Sequence, residues 1–270
     1  MEKLIITAAL NGAETSPEDN PGLPITPEEI AREGIKAGEA GASILHLHMR
    51  SEDGSPSHDP RLFHQTQRLL QEESDLILQF STGGAVGMKL EERIAPLELK
   101  PEMATLTTGT VNFGGDVFFN PPSYIKAFAQ RMKELGIKAE IEVFESGMIN
   151  NALYLYRKGL LHDPLHFDLV MGVPGGIPGG EKDLLYLVEK LPPGASWSVA
   201  GIGSRELPLG VMAILMGGHV RVGFEDNIFY HRGQLAKDNA QLVARMARIA
   251  GELGREVATP DEARRILGLQ

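Results

Sequence analysis

Short apolar runs alternate with amphipathic stretches from one end of the chain to the other. The runs Leu4–Ala9, Ser43–His48, Leu76–Phe80, Met103–Leu106, Lys138–Val143, His166–Met171, Ser196–Ala200 and His219–Val222 have the length and composition of buried strands. Helical patterns fall between them, over about Thr26–Ala40, Pro60–Glu73, Met88–Leu97, Pro121–Leu135, Ser146–Lys158, Glu181–Lys190 and Ser204–Met216. A longer closing helix is expected from about Gly233 to Leu253, with an extra helix over Pro260–Leu267 capped by Thr259 and by Glu262 three residues on. Thr26-Pro27-Glu28-Glu29 is a helix start, with an N-cap, a first-turn proline and acids at the positive helix end.

Near-continuous apolar strands separated by helices mean parallel strands covered on both sides. Eight such units predict an α/β fold, a closed (β/α)8 barrel spanning residues 1–270 as one domain. The alternative is an open doubly wound sheet, but no G-x-G-x-x-G joins the first strand to the first helix.

Composition narrows the chemistry. The 270 residues include no cysteine, so disulfides, thiolate nucleophiles and Cys-ligated metals are excluded, and any metal must sit on His and carboxylate ligands. A net charge of −10 without a basic block argues against nucleic acid as a partner. No apolar run approaches a membrane span, and the first residues read as a buried strand and not as a signal peptide. The expected setting is cytoplasmic.

In a (β/α)8 barrel the active site lies where the strands end and the following loops begin. Unusual polar residues collect there: Asn11-Gly12-Ala13-Glu14, His46-Leu47-His48, Ser81-Thr82-Gly83-Gly84, Thr105 to Gly109, Glu140-Ile141-Glu142, Gly175-Gly176 and Arg221 to Asn227. His46 and His48 are the sharpest feature. Alternate residues of a strand share a face about 7 Å apart, so both imidazoles can bind one ion. Two strand-end neighbours, Glu225 and Glu14, are candidates for the third ligand. Two histidines with a glutamate form a catalytic zinc set that leaves a position open. Arg221 on a barrel strand needs a carboxylate partner, and Asp226 is at hand as a base held in place. Glu142 and Glu140 share a strand face, and pattern alone does not choose between them. The other histidines (His58, His64, His162, His166, His219 and His231) form no second spaced set and are read as surface or core residues.

Asn-Gly-Ala-Glu, His-Leu-His-x-Arg, Ser-Thr-Gly-Gly and Arg-Val-Gly-x-Glu-Asp-Asn, in that order, resemble the β-keto acid cleavage enzymes along essentially the whole chain. The resemblance implies a zinc-dependent (β/α)8 enzyme, a homotetramer, whose founding activity is 3-keto-5-aminohexanoate cleavage in lysine fermentation. A β-keto acid and acetyl-CoA would give acetoacetate and a new CoA thioester. It places His46, His48 and Glu225 on the metal, Glu14, Ser81, Gly84 and Thr105 on the substrate, and Arg221, Asp226 and Glu142 in catalysis. Glu14 would face the far end of the keto acid, where a cationic amine would pair with it. A zinc hydrolase and a CoA-independent keto acid lyase or aldolase on the same barrel are the competing enzyme classes. A binding barrel with a vestigial metal site is the non-enzymatic one.

Overall fold

A computed structural model describes residues 2–269. Eight parallel strands close into a barrel: β1 Ile6–Ala9, β2 Ile44–Leu47, β3 Ile77–Phe80, β4 Met103–Thr107, β5 Lys138–Val143, β6 His166–Met171, β7 Ser196–Gly201 and β8 His219–Val222. Each strand pairs with its sequence neighbours, and β1 closes the ring on β8 through Thr7 opposite Arg221. The helices are α1 Pro27–Glu39, α2 Pro60–Glu73, α3 Leu90–Ile94, α4 Pro122–Leu135, α5 Ser146–Arg157, α6 Glu181–Lys190, α7 Glu206–Met216, α8 Asn239–Glu252 and α9 Pro260–Leu267. Among the described residues no helix is long and apolar enough to cross a membrane.

Local chemistry sets these boundaries. The Thr26 hydroxyl accepts the Glu29 N–H and the Glu29 carboxylate accepts the Thr26 N–H, which fixes the first turn of α1. The closing helix begins later than the pattern suggests. Gly233, with φ +76°, turns a small hairpin of Phe229–His231 on Gln234–Leu235, and α8 starts at Asn239 under the cap of Asp238. Likewise α3 is one short turn of helix that tightens into a 3₁₀ turn, Ala95–Leu99, around Pro96.

The main core lies between the barrel and its helices, where Leu45, Leu47, Phe80, Phe128, Phe167 and Phe224 are buried. A second, smaller core seals the barrel floor. Ile5, Ile44, Ile77 and Met103 point inward at the strand starts and pack on Ala258, Ala263 and Leu267. The approach to α9 is tied to the first strand, since Leu4 N–H donates to the Glu256 carbonyl and Ala258 N–H to the Leu4 carbonyl. Above that floor the interior is polar, with buried Gln79, Thr105, Glu140, Asp168, Ser198 and Arg221. An apolar plug below and a polar lining above give the barrel one open end.

Candidate active site

The open end carries the predicted constellation. His46 and His48 project from the end of β2 with ring centroids 5.1 Å apart. One Glu225 oxygen, Oε2, stands 3.3 Å from His46 Nε2 and 3.5 Å from His48 Nε2. The three donor atoms lie within 4.8 Å of one another. Glu14 is not among them; it stands on the cavity wall.

The donor chemistry fits a metal ion. His46 Nδ1 lies 2.7 Å from Gln79 Oε1, and a proton donated there leaves Nε2 with its lone pair, the form a metal ligand needs. That lone pair faces Glu225 Oε2, and both atoms are buried without a hydrogen-bond partner. Two acceptors facing each other repel unless a proton or a cation lies between them. The wider charge balance points the same way. One guanidinium, Arg221, faces four carboxylates: Asp226 at 2.9 Å, Glu225 at 2.5 Å, and Glu142 and Asp168 at 3.5 Å each. Burial holds Asp168 well above the usual carboxylate range, and a divalent ion on His46, His48 and Glu225 would offset the negative charge of the other three. His46, His48 and Glu225 form the set expected for catalytic zinc.

These neighbours shift one another. Burial pulls the His46 imidazole down, but the facing Glu225 carboxylate outweighs it and raises the group. Burial pushes Glu225 up, and Arg221, His46 and His48 together hold it well below the usual carboxylate range. At Asp226 burial wins over the pull of Arg221 and lifts the carboxyl to about 6. Asp226 is gripped by both sides of the Arg221 fork, Nε at 2.9 Å and Nη2 at 3.0 Å, so its orientation is fixed.

Loop ends are held by polar groups behind the site. Arg50, the arginine of His-Leu-His-x-Arg, donates to the carbonyls of Asn11, Gly12 and Thr15 and pins the loop that carries Glu14. Gly12 has φ +55°, and a Cβ there would stand 2.5 Å from Glu225 Cγ, so only glycine lets the Glu225 side chain pass. The loop carrying Glu225 and Asp226 is held by Glu206, which accepts Gly223 N–H at 3.2 Å and Asn227 Nδ2 at 3.0 Å and pairs with Arg245 at 3.0 Å. Asn239 accepts Phe224 N–H at 2.9 Å.

A cavity of about 430 Å³ opens over this centre, within the range of small-molecule sites. Glu14, His48, Ser81, Gly84, Glu142, Arg221, Glu225 and Asp226 reach its wall, under a hairpin of Val111–Phe113 on Asp116–Phe118. Thr105 does not reach the wall. Its hydroxyl accepts Thr82 N–H at 3.1 Å, and so it holds the Ser-Thr-Gly-Gly loop from below. Of the two β5 acids, Glu142 belongs to the site, bonded to Thr107 at 2.5 Å and facing Arg221. Glu140 lies deeper, 3.3 Å from His166. His166 is therefore paired within the barrel, next to His219 at 6.1 Å between rings. His58 also belongs near the site: its Nε2 is 3.1 Å from the Ser81 carbonyl, and burial lowers its imidazole to about 4, which leaves it a neutral donor.

The family model for beta-keto acid cleavage enzymes matches residues 3–269. The chain belongs to this family. It is 52% identical over 272 residues, covering 100% of this chain and 99% of the relative, to a protein of Fusobacterium nucleatum subsp. nucleatum named 3-keto-5-aminohexanoate cleavage enzyme. It is 39% identical, over 98% of this chain and 94% of the relative, to the 3-oxoadipate:acetyl-CoA acetyltransferase of Cupriavidus necator. The fold is shared with ObcA, at a TM-score of 0.82 and 23% identity, over 92% of this chain and 66% of that one.

Proposed function

We propose that this family member cleaves a cationic β-keto acid, of the 3-keto-5-aminohexanoate kind, with acetyl-CoA as cosubstrate. It would hold one zinc ion on His46, His48 and Glu225, with lysine fermentation as its setting. The observation that carries the reading is the orphaned pair His46 Nε2 and Glu225 Oε2, set beside an aspartate held by an arginine fork. When bound, the ion supplies a Lewis acid for the β-keto oxygen.

The chain's own residues divide the remaining work. Ser81, whose hydroxyl oxygen is held by the Gly83 N–H, and the Gly84 backbone receive the substrate carboxylate, and exposed Glu14 on the same cavity receives the ammonium. Asp226 removes a proton from C2 while Arg221 fixes its orientation, and Glu142 anchors Arg221 from the other side. C2 then attacks the thioester carbonyl, a C–C bond forms, and CoA leaves as thiolate. The thiolate adds to the former keto carbon. The bond from that carbon to C2 breaks with its electrons going to C2, and Asp226 returns the proton. Acetoacetate and a new acyl-CoA are the products.

The homotetramer is part of the same proposal. Tyr154, Leu185, Tyr186 and Leu215 stand exposed on α5, α6 and α7 and offer apolar surface for contact between copies.

The test is turnover of a panel of β-keto acids, read as acetoacetate, with and without acetyl-CoA and with and without a chelator. Product that requires both acetyl-CoA and metal supports the proposal. Product without acetyl-CoA favours a lyase or hydrolase, and no product from metal-loaded protein overturns the reaction.

A further inference from the structure

A second cavity lies away from the catalytic end. It measures about 480 Å³ and lies at the opposite end of the barrel, between the C-terminus of α4, the start of β5 and the segment leading into β4. Leu135, Ile137, Leu161 and Leu165 give it an apolar wall. Lys100, Lys133 and Lys138 stand on the same cavity. They are scattered along the sequence, so no basic run announces them, and only the fold brings them together.

Their partners are incomplete. Among the described residues Lys133 donates to the Gly159 carbonyl at 2.8 Å and Lys138 to the Pro164 carbonyl, and neither forms an ion pair. Of the two carboxylates on this wall Glu102 is neutralised by an arginine, which leaves Asp163 as the one negative charge against three lysines. Glu102 takes the Arg264 fork at 2.6 and 2.9 Å, and Asp163 accepts the Tyr156 hydroxyl at 2.7 Å. The cavity therefore carries uncompensated positive charge on a chain whose net charge is −10. Lys138 is half-buried, and burial outweighs the pull of the nearby Asp163 carboxylate and draws its ammonium down to about 8. A partly desolvated cation in that state is stabilised by any anion that reaches it.

We infer that this cavity binds a small amphipathic anion, with a carboxylate head on Lys138 and its neighbouring lysines and a short alkyl chain along Leu135, Ile137, Leu161 and Leu165. The site is separate from the catalytic cavity and does not depend on the reaction proposed above.

Hexanoate is the probe, and the metal-loaded full chain is the sample. Hexanoate is expected to raise the midpoint of thermal unfolding by a few degrees, saturably, as a ligand of the folded state does. Hexan-1-ol, which lacks the charge, should not. Lys138→Met should lose the rise and keep wild-type turnover in the absence of hexanoate. An equal rise in Lys138→Met would put hexanoate in the catalytic cavity and overturn the inference, as would no rise in the wild type. A measurement on the unmutated protein guards against misfolding of the variant. With carbon-labelled lysine, the Lys138 side chain should titrate near 8, and hexanoate should move that midpoint upward. A midpoint that hexanoate leaves in place refutes a carboxylate at Lys138.

Discussion

Asp226 and Glu14 are both carboxylates at the cavity wall, yet their surroundings give them different work. Asp226 is buried and locked to Arg221, which suits a group that must take a proton from C2 and later return it there. Asp226→Asn should retain the metal and lose about 10²–10⁴-fold in turnover, a usual range for a removed general base. Deuterium exchange at the substrate's C2 should stop with it, and exchange at the wild-type rate would clear Asp226 of the role. Glu14 is exposed and free to meet a charge brought by the substrate. A hydrogen bond to a charged group contributes about 1.5–3 kcal/mol, so Glu14→Gln should cost about 10–100-fold in kcat/KM on a 5-amino keto acid. On an uncharged keto acid the loss should be small, and equal losses would remove the ammonium from the reading.

The strands and the loops that follow them decide whether those side chains meet. Glu206 at the start of α7 touches neither Glu225 nor Asp226 directly, but it fixes both ends of their loop through Gly223 and Asn227. Glu206→Ala would leave the donors of Gly223, Asn227 and Arg245 without their shared acceptor, at about 1–3 kcal/mol for each one left unsatisfied. It should also weaken metal binding about 10–100-fold, the usual loss when support behind a ligand is removed. Equilibrium dialysis on the folded variant checks this, and unaltered metal affinity would show that the loop holds its shape without Glu206.

Much of this level was legible in the sequence, because the ligand motifs are contiguous and strand periodicity sets their faces. His46, His48, Arg221, Glu225 and Asp226 come from two strand ends that barrel closure brings together across β1. Glu206, Asn239 and Asp168 are not legible there, and Gln79, although it stands among the polar strand ends, gives no sign of its bond to His46. Each acts through a contact fixed by strand register or helix docking, between residues as far apart as Glu206 and Arg245. The small hairpins are illegible for a different reason: strands of two or three residues leave no periodic trace, and the helix expected from about Gly233 begins only at Asn239 because the chain turns at Gly233.

For the molecule as a whole, the division between a dry floor and a wet, charged interior matters most. Leu267 and Ala263 close the lower end against Ile5, Ile44, Ile77 and Met103. Leu267→Ala should cost about 2–5 kcal/mol through lost burial and the void left behind. The unfolding midpoint should fall by about 2–4 °C for each kcal/mol, while kcat/KM of the folded enzyme stays close to wild type. A large loss of activity in fully folded protein would show that the floor also shapes the site above it.

That floor is built from the two extremes of the chain. Leu4 precedes all eight strands, and its partner Ala258 comes after them. Until residues 260–267 have been synthesised, Ile5, Ile44, Ile77 and Met103 have nothing below them. The underside of the barrel therefore stays wet while all eight strands are being made, and α9 is the stopper that closes it.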